Sequence, residues 1–167
     1  MKRKGLLIIL CLLACTPAFS QRNAKYRPRT LDQLIELNRA GTDKSFSKVK
    51  LEETSSYIGI DPMYSMVQLQ FKGDSRPISA SHTRLLAWWT KLQNADKKAL
   101  KPYENEFLFV EGAKEYWIPV PNQLIGDVNS KFKKDETILA LLFYVGADKE
   151  RNEAQFTTLF VLTGYKP

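Results

Sequence analysis

The sequence predicts an α+β fold, mainly an antiparallel β-sheet, with two to three short helices between the strands. Pairs of strand patterns alternate with helical patterns along the chain, which favours hairpins over a parallel, doubly wound sheet. The apolar run 137–145 has no polar alternation, as expected for a central strand covered on both faces. The last four predicted strands, with a helix between their two hairpins, also suit a small OB-like barrel, which is the alternative architecture.

The first predicted element is a helix over about 31–39. Thr30 and Gln33 have the spacing of a capping box, in which each side chain bonds the backbone N–H of the other residue. Apolar residues then recur at helical spacing, and Gly41 stands where a C-terminal stop belongs.

Two strands are predicted next. The stretch 46–57 alternates weakly and is followed by an interruption at Asp61-Pro62. Apolar residues then occupy every second position of 65–72, the pattern of a strand with one buried face. Together the two strands are expected to form an antiparallel hairpin or meander.

Two further helices are indicated by apolar stripes at helical spacing. The longer one covers about 81–94, with Ser79 and Ser81 as candidate caps. A helix of one or two turns follows Asn122, which can cap it.

The remaining strands lie in the second half of the chain. The segments 106–110 and 116–120 form a predicted hairpin, and Pro119 favours an edge position for the second strand because proline cannot donate to the ladder. After the apolar run, 146–154 is predicted to be a polar loop, and 156–162 is the partner strand.

Residues 1–20 have the three parts of a cleavable secretory signal. Residues 2–4 are basic, an apolar run covers 5–15, and two small residues, Ala18 and Ser20, precede the cleavage site. The apolar run is shorter than the ~20 residues that cross a bilayer as a helix. The predicted location is therefore periplasmic or extracellular.

The predicted signal changes the chemistry of the mature chain. Both cysteines, Cys11 and Cys15, lie within it, so the mature chain has no disulfide and no thiolate. Three of the seven net positive charges also lie within it, which leaves +4. In the alternative processing, Cys15 ends a lipobox-like segment and carries a lipid anchor.

The mature chain is expected to contain one domain and no transmembrane helix. Residues 21–29 are polar, basic and aperiodic, and are predicted to be a flexible linker. The range 30–167 is predicted to fold as a single globular α+β domain, because no repeat or second boundary is visible.

Few catalytic chemistries fit this composition. His82 is the only histidine, and its surroundings in sequence contain no nucleophile motif. We therefore predict no catalytic residue and no metal site, since one histidine without cysteine is a poor zinc ligand set. No glycine-rich phosphate loop is present, and nucleotide chemistry is not expected in a small exported domain, so no cofactor is expected. Nucleic acid is not an expected partner either.

The leading functional hypothesis is an exported, non-catalytic binding or accessory domain. Its partner would be an envelope glycan, a lipid headgroup or a protein. The residues predicted to bind it are two strand aromatics and four residues of the polar loop: Tyr116, Trp117, Asp148, Lys149, Arg151 and Asn152.

Two alternative functions remain at this stage. One is a small hydrolase of envelope or extracellular polymers that uses paired carboxylates, although no spacing singles out a pair. The other is a structural subunit of an envelope assembly.

Overall fold

The computed structural model describes residues 26–47, 54–92, 103–150 and 156–166. The predicted signal peptide, the first part of the predicted linker, and Arg151 and Asn152 lie outside these ranges. The described elements, in chain order, are β1 (Arg27–Pro28), α1 (Leu31–Ser47), β2 (Thr54–Pro77), α2 (Ala80–Leu92), β3 (Tyr103–Glu111), β4 (Lys114–Pro121), α3 (Asn122–Lys131), β5 (Thr137–Glu150) and β6 (Thr157–Lys166).

The strands form one sheet in the order β4-β3-β2-β5-β6, in which every neighbouring pair is antiparallel. The short β1 adds to β2 in parallel. The prediction of an α+β fold with a mainly antiparallel sheet is therefore confirmed. The OB-like barrel is not: Tyr116 of β4 and Phe160 of β6 bring their rings to 6.3 Å, but the described residues of β4 and β6 do not pair.

Each face of the sheet is covered by helices. On one face, Val67, Leu69 and Phe71 of β2 are buried at alternate positions, as predicted, together with Leu31 and Leu34 of α1. This face holds the larger apolar core, to which α3 also contributes. The other face is covered by α2, whose leucines pack on alternate residues of β5 and β6. The central strand β5 is thus covered on both sides, as its unbroken apolar run predicts.

The first helix begins as predicted but ends later. The capping box is formed, with Thr30 N–H donating to Gln33 Oε1 at 3.0 Å and Gln33 N–H donating to Thr30 Oγ1 at 3.1 Å. The predicted stop at Gly41 is wrong, because α1 continues to Ser47. Glycine inside a helix costs only ~1 kcal/mol relative to alanine, so it weakens a helix without ending it.

Two strand boundaries also differ from the prediction. The helix occupies the start of the segment 46–57, and the strand begins at Thr54. That strand passes through Asp61-Pro62 and continues to Pro77 as one element, with a register shift between Ile58 and Met63. The predicted hairpin or meander of two strands, 46–57 and 65–72, is therefore wrong. A bulge leaves extra residues out of the ladder, so Pro62, which has no N–H to donate, is accommodated there.

The hairpin between β3 and β4 turns at Gly112, where φ is +62°. Glu111 pairs with Lys114 across a two-residue loop, and a first loop residue at positive φ is typical of a type II′ turn. A Cβ added to Gly112 meets nothing within 4 Å, so the cost of a side chain there is purely conformational.

Gly112→Ala is expected to lower the free energy of unfolding by ~1–2 kcal/mol, because alanine disfavours the left-handed region. The matched control is Gly126→Ala in α3, where an added Cβ also meets nothing within 4 Å and φ is not positive. That variant is expected to gain ~0.5–1 kcal/mol from helix propensity. Urea unfolding of both variants measures the difference, and effects of equal sign would contradict this account.

Candidate functional site

A cleft of about 960 Å³ opens where α1, β4, the start of β6 and the β2–α2 junction meet. Its volume is within the range of sites that enclose a small ligand. Its walls are formed by Asp32, Ile35 and Arg39 of α1; Arg76, Ser79, Ser81 and His82 at the β2–α2 junction; Lys114, Glu115, Tyr116 and Trp117 of β4; Tyr144 and Ala147 of β5; and Phe156, Thr157, Thr158 and Phe160 at β6.

A buried histidine–carboxylate pair stands at one end of the cleft. His82 Nδ1 lies 2.5 Å from Glu106 Oε2, and the two residues are 4% and 0% exposed. The fold brings them together because β3 pairs with the end of β2, and α2 begins three residues after β2 ends. An ionised carboxylate only accepts hydrogen bonds, so Nδ1 donates in this contact.

Arg76 completes this group from the neighbouring strand. Its Nε donates to Glu106 Oε1 at 2.6 Å, and its guanidinium lies 4.0 Å from the ring centroid of Trp117. Burial alone would raise the pKa of Glu106, but the hydrogen bonds and charges of His82 and Arg76 outweigh it and hold that pKa below its usual value. Glu106 is therefore ionised. It lies behind the cleft wall and fixes His82 and Arg76, which both line the cleft.

The other ring nitrogen of His82 remains accessible. Within the described part of the chain, Nε2 makes no hydrogen bond, and this atom is not fully buried. The backbone N–H of His82 donates to Ser79 Oγ at 3.3 Å, so Ser79 caps α2 as predicted. Ser81 Oγ lies 3.4 Å from Ser79 Oγ. The junction thus presents a ring nitrogen and two hydroxyls to the cleft.

A second polar group occupies the wall between α1 and β4. Lys114 Nζ donates to both carboxylate oxygens of Asp32, at 2.7 and 2.8 Å, and the Tyr116 hydroxyl donates to Oδ1 at 3.3 Å. The hydrogen bond from Lys114 lowers the pKa of Asp32. Burial, with the nearby charges of Asp32 and Glu111, raises the pKa of Tyr116, which keeps its hydroxyl protonated.

Glu111 connects this wall to the start of α1. Its Oε2 accepts a hydrogen bond from the backbone N–H of Leu31 at 2.9 Å. This N–H belongs to the first turn of the helix, where it has no partner within the helix. The contact therefore fixes α1 to the β3–β4 hairpin, and with it the width of the cleft on this side.

The two aromatic residues of the predicted site both line the cleft, but neither is an open platform. Tyr116 and Trp117 are half-buried. The guanidinium of Arg76 lies over the ring of Trp117, and the ring of Tyr116 meets Phe160 edge-on. Each ring therefore has only part of its surface available to a ligand.

The predicted polar loop is largely a strand. Residues 146–150 belong to β5 and pair with the start of β2. Asp148 is 1% exposed, bonds Arg84 Nη2 of α2 through Oδ2 at 2.5 Å, and is not a lining residue of the cleft. Lys149 is also in β5, but its side chain, like Arg151 and Asn152, lies outside the described part of the structure. A binding role for these four residues remains a prediction.

Sequence reasoning singled out neither Arg76 nor Glu106 and assigned no role to His82. The available signal was weak: a single histidine, and a glutamate directly before the apolar residues of a predicted strand. Arg76 and Glu106 meet only because the register of β2 and β3 places them opposite each other.

Two carboxylates of the described residues are held by lysine side chains. Asp127 bonds Lys131 and Tyr165, and Asp135 bonds Lys72. Across the described ranges, no group of three or more potential metal ligands is present. The described helices also include none that is long and apolar enough to cross a membrane.

Comparison with known proteins gives no relative: no family model, curated protein or solved structure matches this chain.

Proposed function

We propose that this protein is an exported binding domain that holds a glycan segment in the cleft between α1, β4 and the β2–α2 junction. The observation that carries this proposal is the buried Glu106, which fixes His82 and Arg76 at the cleft wall through its two oxygens. Polar side chains held this way keep their geometry before a ligand arrives, which reduces the entropy lost on binding.

The composition of the walls favours a glycan over the other two partners considered. Ligand hydroxyls can exchange hydrogen bonds with the lining hydroxyls of Ser79, Ser81, Thr157 and Thr158. The C–H surface of a sugar packs on the face of an aromatic ring, and the half-buried Tyr116 is an aromatic residue of this wall. A concave site of this size encloses a few sugar units, whereas protein partners usually engage broader surfaces.

The test is an NMR titration of the protein, purified after expression of the full chain, with the trimers of N-acetylglucosamine and galacturonic acid. Saturable shifts of backbone amides that line the cleft, with at least one trimer, are the expected result. If neither trimer shifts them at millimolar concentration, the proposal is wrong.

A pair of matched variants locates the binding. Thr158→Trp places a large ring in the cleft and is expected to abolish the shifts. Gln123→Trp places the same ring on an exposed position of α3 outside the cleft, and is expected to leave them unchanged. Equal effects of the two variants would show that binding takes place elsewhere.

A further inference from the structure

We propose that the β2–α2 end of the cleft is an oxyanion subsite, in which Arg76 binds the carboxylate or phosphate of an acidic sugar. This inference rests on the proposed function, because it names the ligand class of the same cleft.

Arg76 is held in two independent ways. Its Nε is bonded to a fully buried carboxylate at 2.6 Å, and its plane lies 4.0 Å from the ring centroid of Trp117. The side chain is nevertheless 45% exposed. An exposed arginine normally samples many rotamers, and ordering it on binding costs free energy. In this site the ordering is already present in the free protein.

The unused donors of Arg76 match an oxyanion. Within the described residues, Nε is its only nitrogen in a hydrogen bond, so both Nη groups remain available. Two parallel N–H groups of a guanidinium form a bidentate contact with a carboxylate or phosphate, which a lysine cannot reproduce. Since Arg76 is also a lining residue, these donors are within reach of a bound ligand.

His82 lies beside Arg76 and favours a sugar acid over a bare ion as the ligand. Its Nδ1 donates to Glu106, so Nε2 is left at the cleft wall, where a ligand hydroxyl can pair with it as donor or as acceptor. Arg76 and His82 share one carboxylate, so a ligand that offers an oxyanion to Arg76 and a hydroxyl to Nε2 uses both. Uronic acids and sugar phosphates combine these two groups.

The other lining arginine supplies a control. Arg39 pairs with Glu36 on the same helix, with side chains that are 61% and 65% exposed, and it is not fixed by any buried group in the described residues. An exposed ion pair of this kind does little to fix the conformation of either side chain. Both Arg39→Lys and Arg76→Lys therefore keep the charge of the cleft. Only Arg76→Lys removes a guanidinium that is held in place in the free protein.

The experiment measures the affinities of galactose, galacturonate and galactose 6-phosphate by NMR titration of the purified protein. At least one of the two anionic sugars is expected to bind about tenfold or more tightly than galactose, because a bidentate charged contact is added. The more tightly bound of the two identifies the source of the oxyanion. Arg76→Lys is expected to remove most of this preference, and Arg39→Lys is expected to retain it.

The outcomes separate this inference from the function on which it rests. If the three sugars bind equally in the cleft, or if Arg76→Lys keeps the full preference, the subsite is wrong and the binding function stands. If none of the sugars or trimers binds, the proposed function fails. Should Arg76→Lys unfold, the wild-type protein still decides the question, because the cross-peak of the Arg76 side chain must shift with the anionic sugars and not with galactose.

Discussion

Glu106→Gln is expected to lower the free energy of unfolding by ~3 kcal/mol, the largest loss among the substitutions considered. Glutamine keeps the shape of the side chain but removes the charge that His82 and Arg76 share. Removing one partner of a buried ion pair leaves the remaining groups without compensation, and typically costs 3–5 kcal/mol. The lower end of this range applies to Glu106→Gln, because Arg76 is partly exposed and recovers some hydration. Urea unfolding at neutral pH measures the change.

The same substitution has a signature in the pH dependence of stability. The pKa of Glu106 is lower in the folded protein than its ordinary value, so its ionised form stabilises the fold. That contribution is fully present above the ordinary carboxyl pKa and is lost as the pH falls through the lower, folded pKa. Wild type is therefore expected to lose its advantage over Glu106→Gln on the acidic side.

Glu104→Gln is the matched control, since Glu104 lies two residues away on the same strand and is exposed. Its stability is expected to stay within ~0.5 kcal/mol of wild type at every pH. If Glu106→Gln also stayed within that range, the buried group would not hold the end of the cleft in place.

Local patterns predicted the parts of the fold that local interactions determine. The capping box of Thr30 and Gln33 closes within four residues, and the alternation of Val67, Leu69 and Phe71 directly reports one buried face. The boundaries failed where a local preference is small compared with tertiary packing. Gly41 illustrates this, because a helix tolerates a glycine at ~1 kcal/mol.

The candidate site was harder to predict because its residues meet only through strand register. Glu106 and His82 are 24 positions apart, and β2 must pair with β3 before they meet. Charge density in turn led to a wrong prediction for 146–150. Acidic and basic residues are typical of a loop, yet these residues belong to β5 and Asp148 is buried there. Its partner, Arg84, is 64 residues away, so no sequence window contains both.

Asp148→Asn is expected to lower the free energy of unfolding by ~2–3 kcal/mol and to loosen α2 in particular. Asp148 is 1% exposed and its Oδ2 lies 2.5 Å from Arg84 Nη2, which belongs to α2. Asparagine keeps the volume but removes the charge that balances a partly buried guanidinium. Since this contact connects α2 to β5, hydrogen exchange of the α2 amides is expected to accelerate more than that of the β2–β5 ladder.

Asp127→Asn is the control, because this carboxylate also accepts hydrogen bonds, from Lys131 and Tyr165, but at the surface. Exposed pairs are screened by water, so a much smaller loss is expected, without any change in α2. Equal losses in the two variants, or unchanged exchange in α2 of Asp148→Asn, would contradict a structural role for the Arg84–Asp148 pair. Asp148→Asn is also expected to weaken sugar binding in the cleft, although Asp148 itself does not line the cleft. The reason is that α2, which this variant loosens, carries His82 in its first turn.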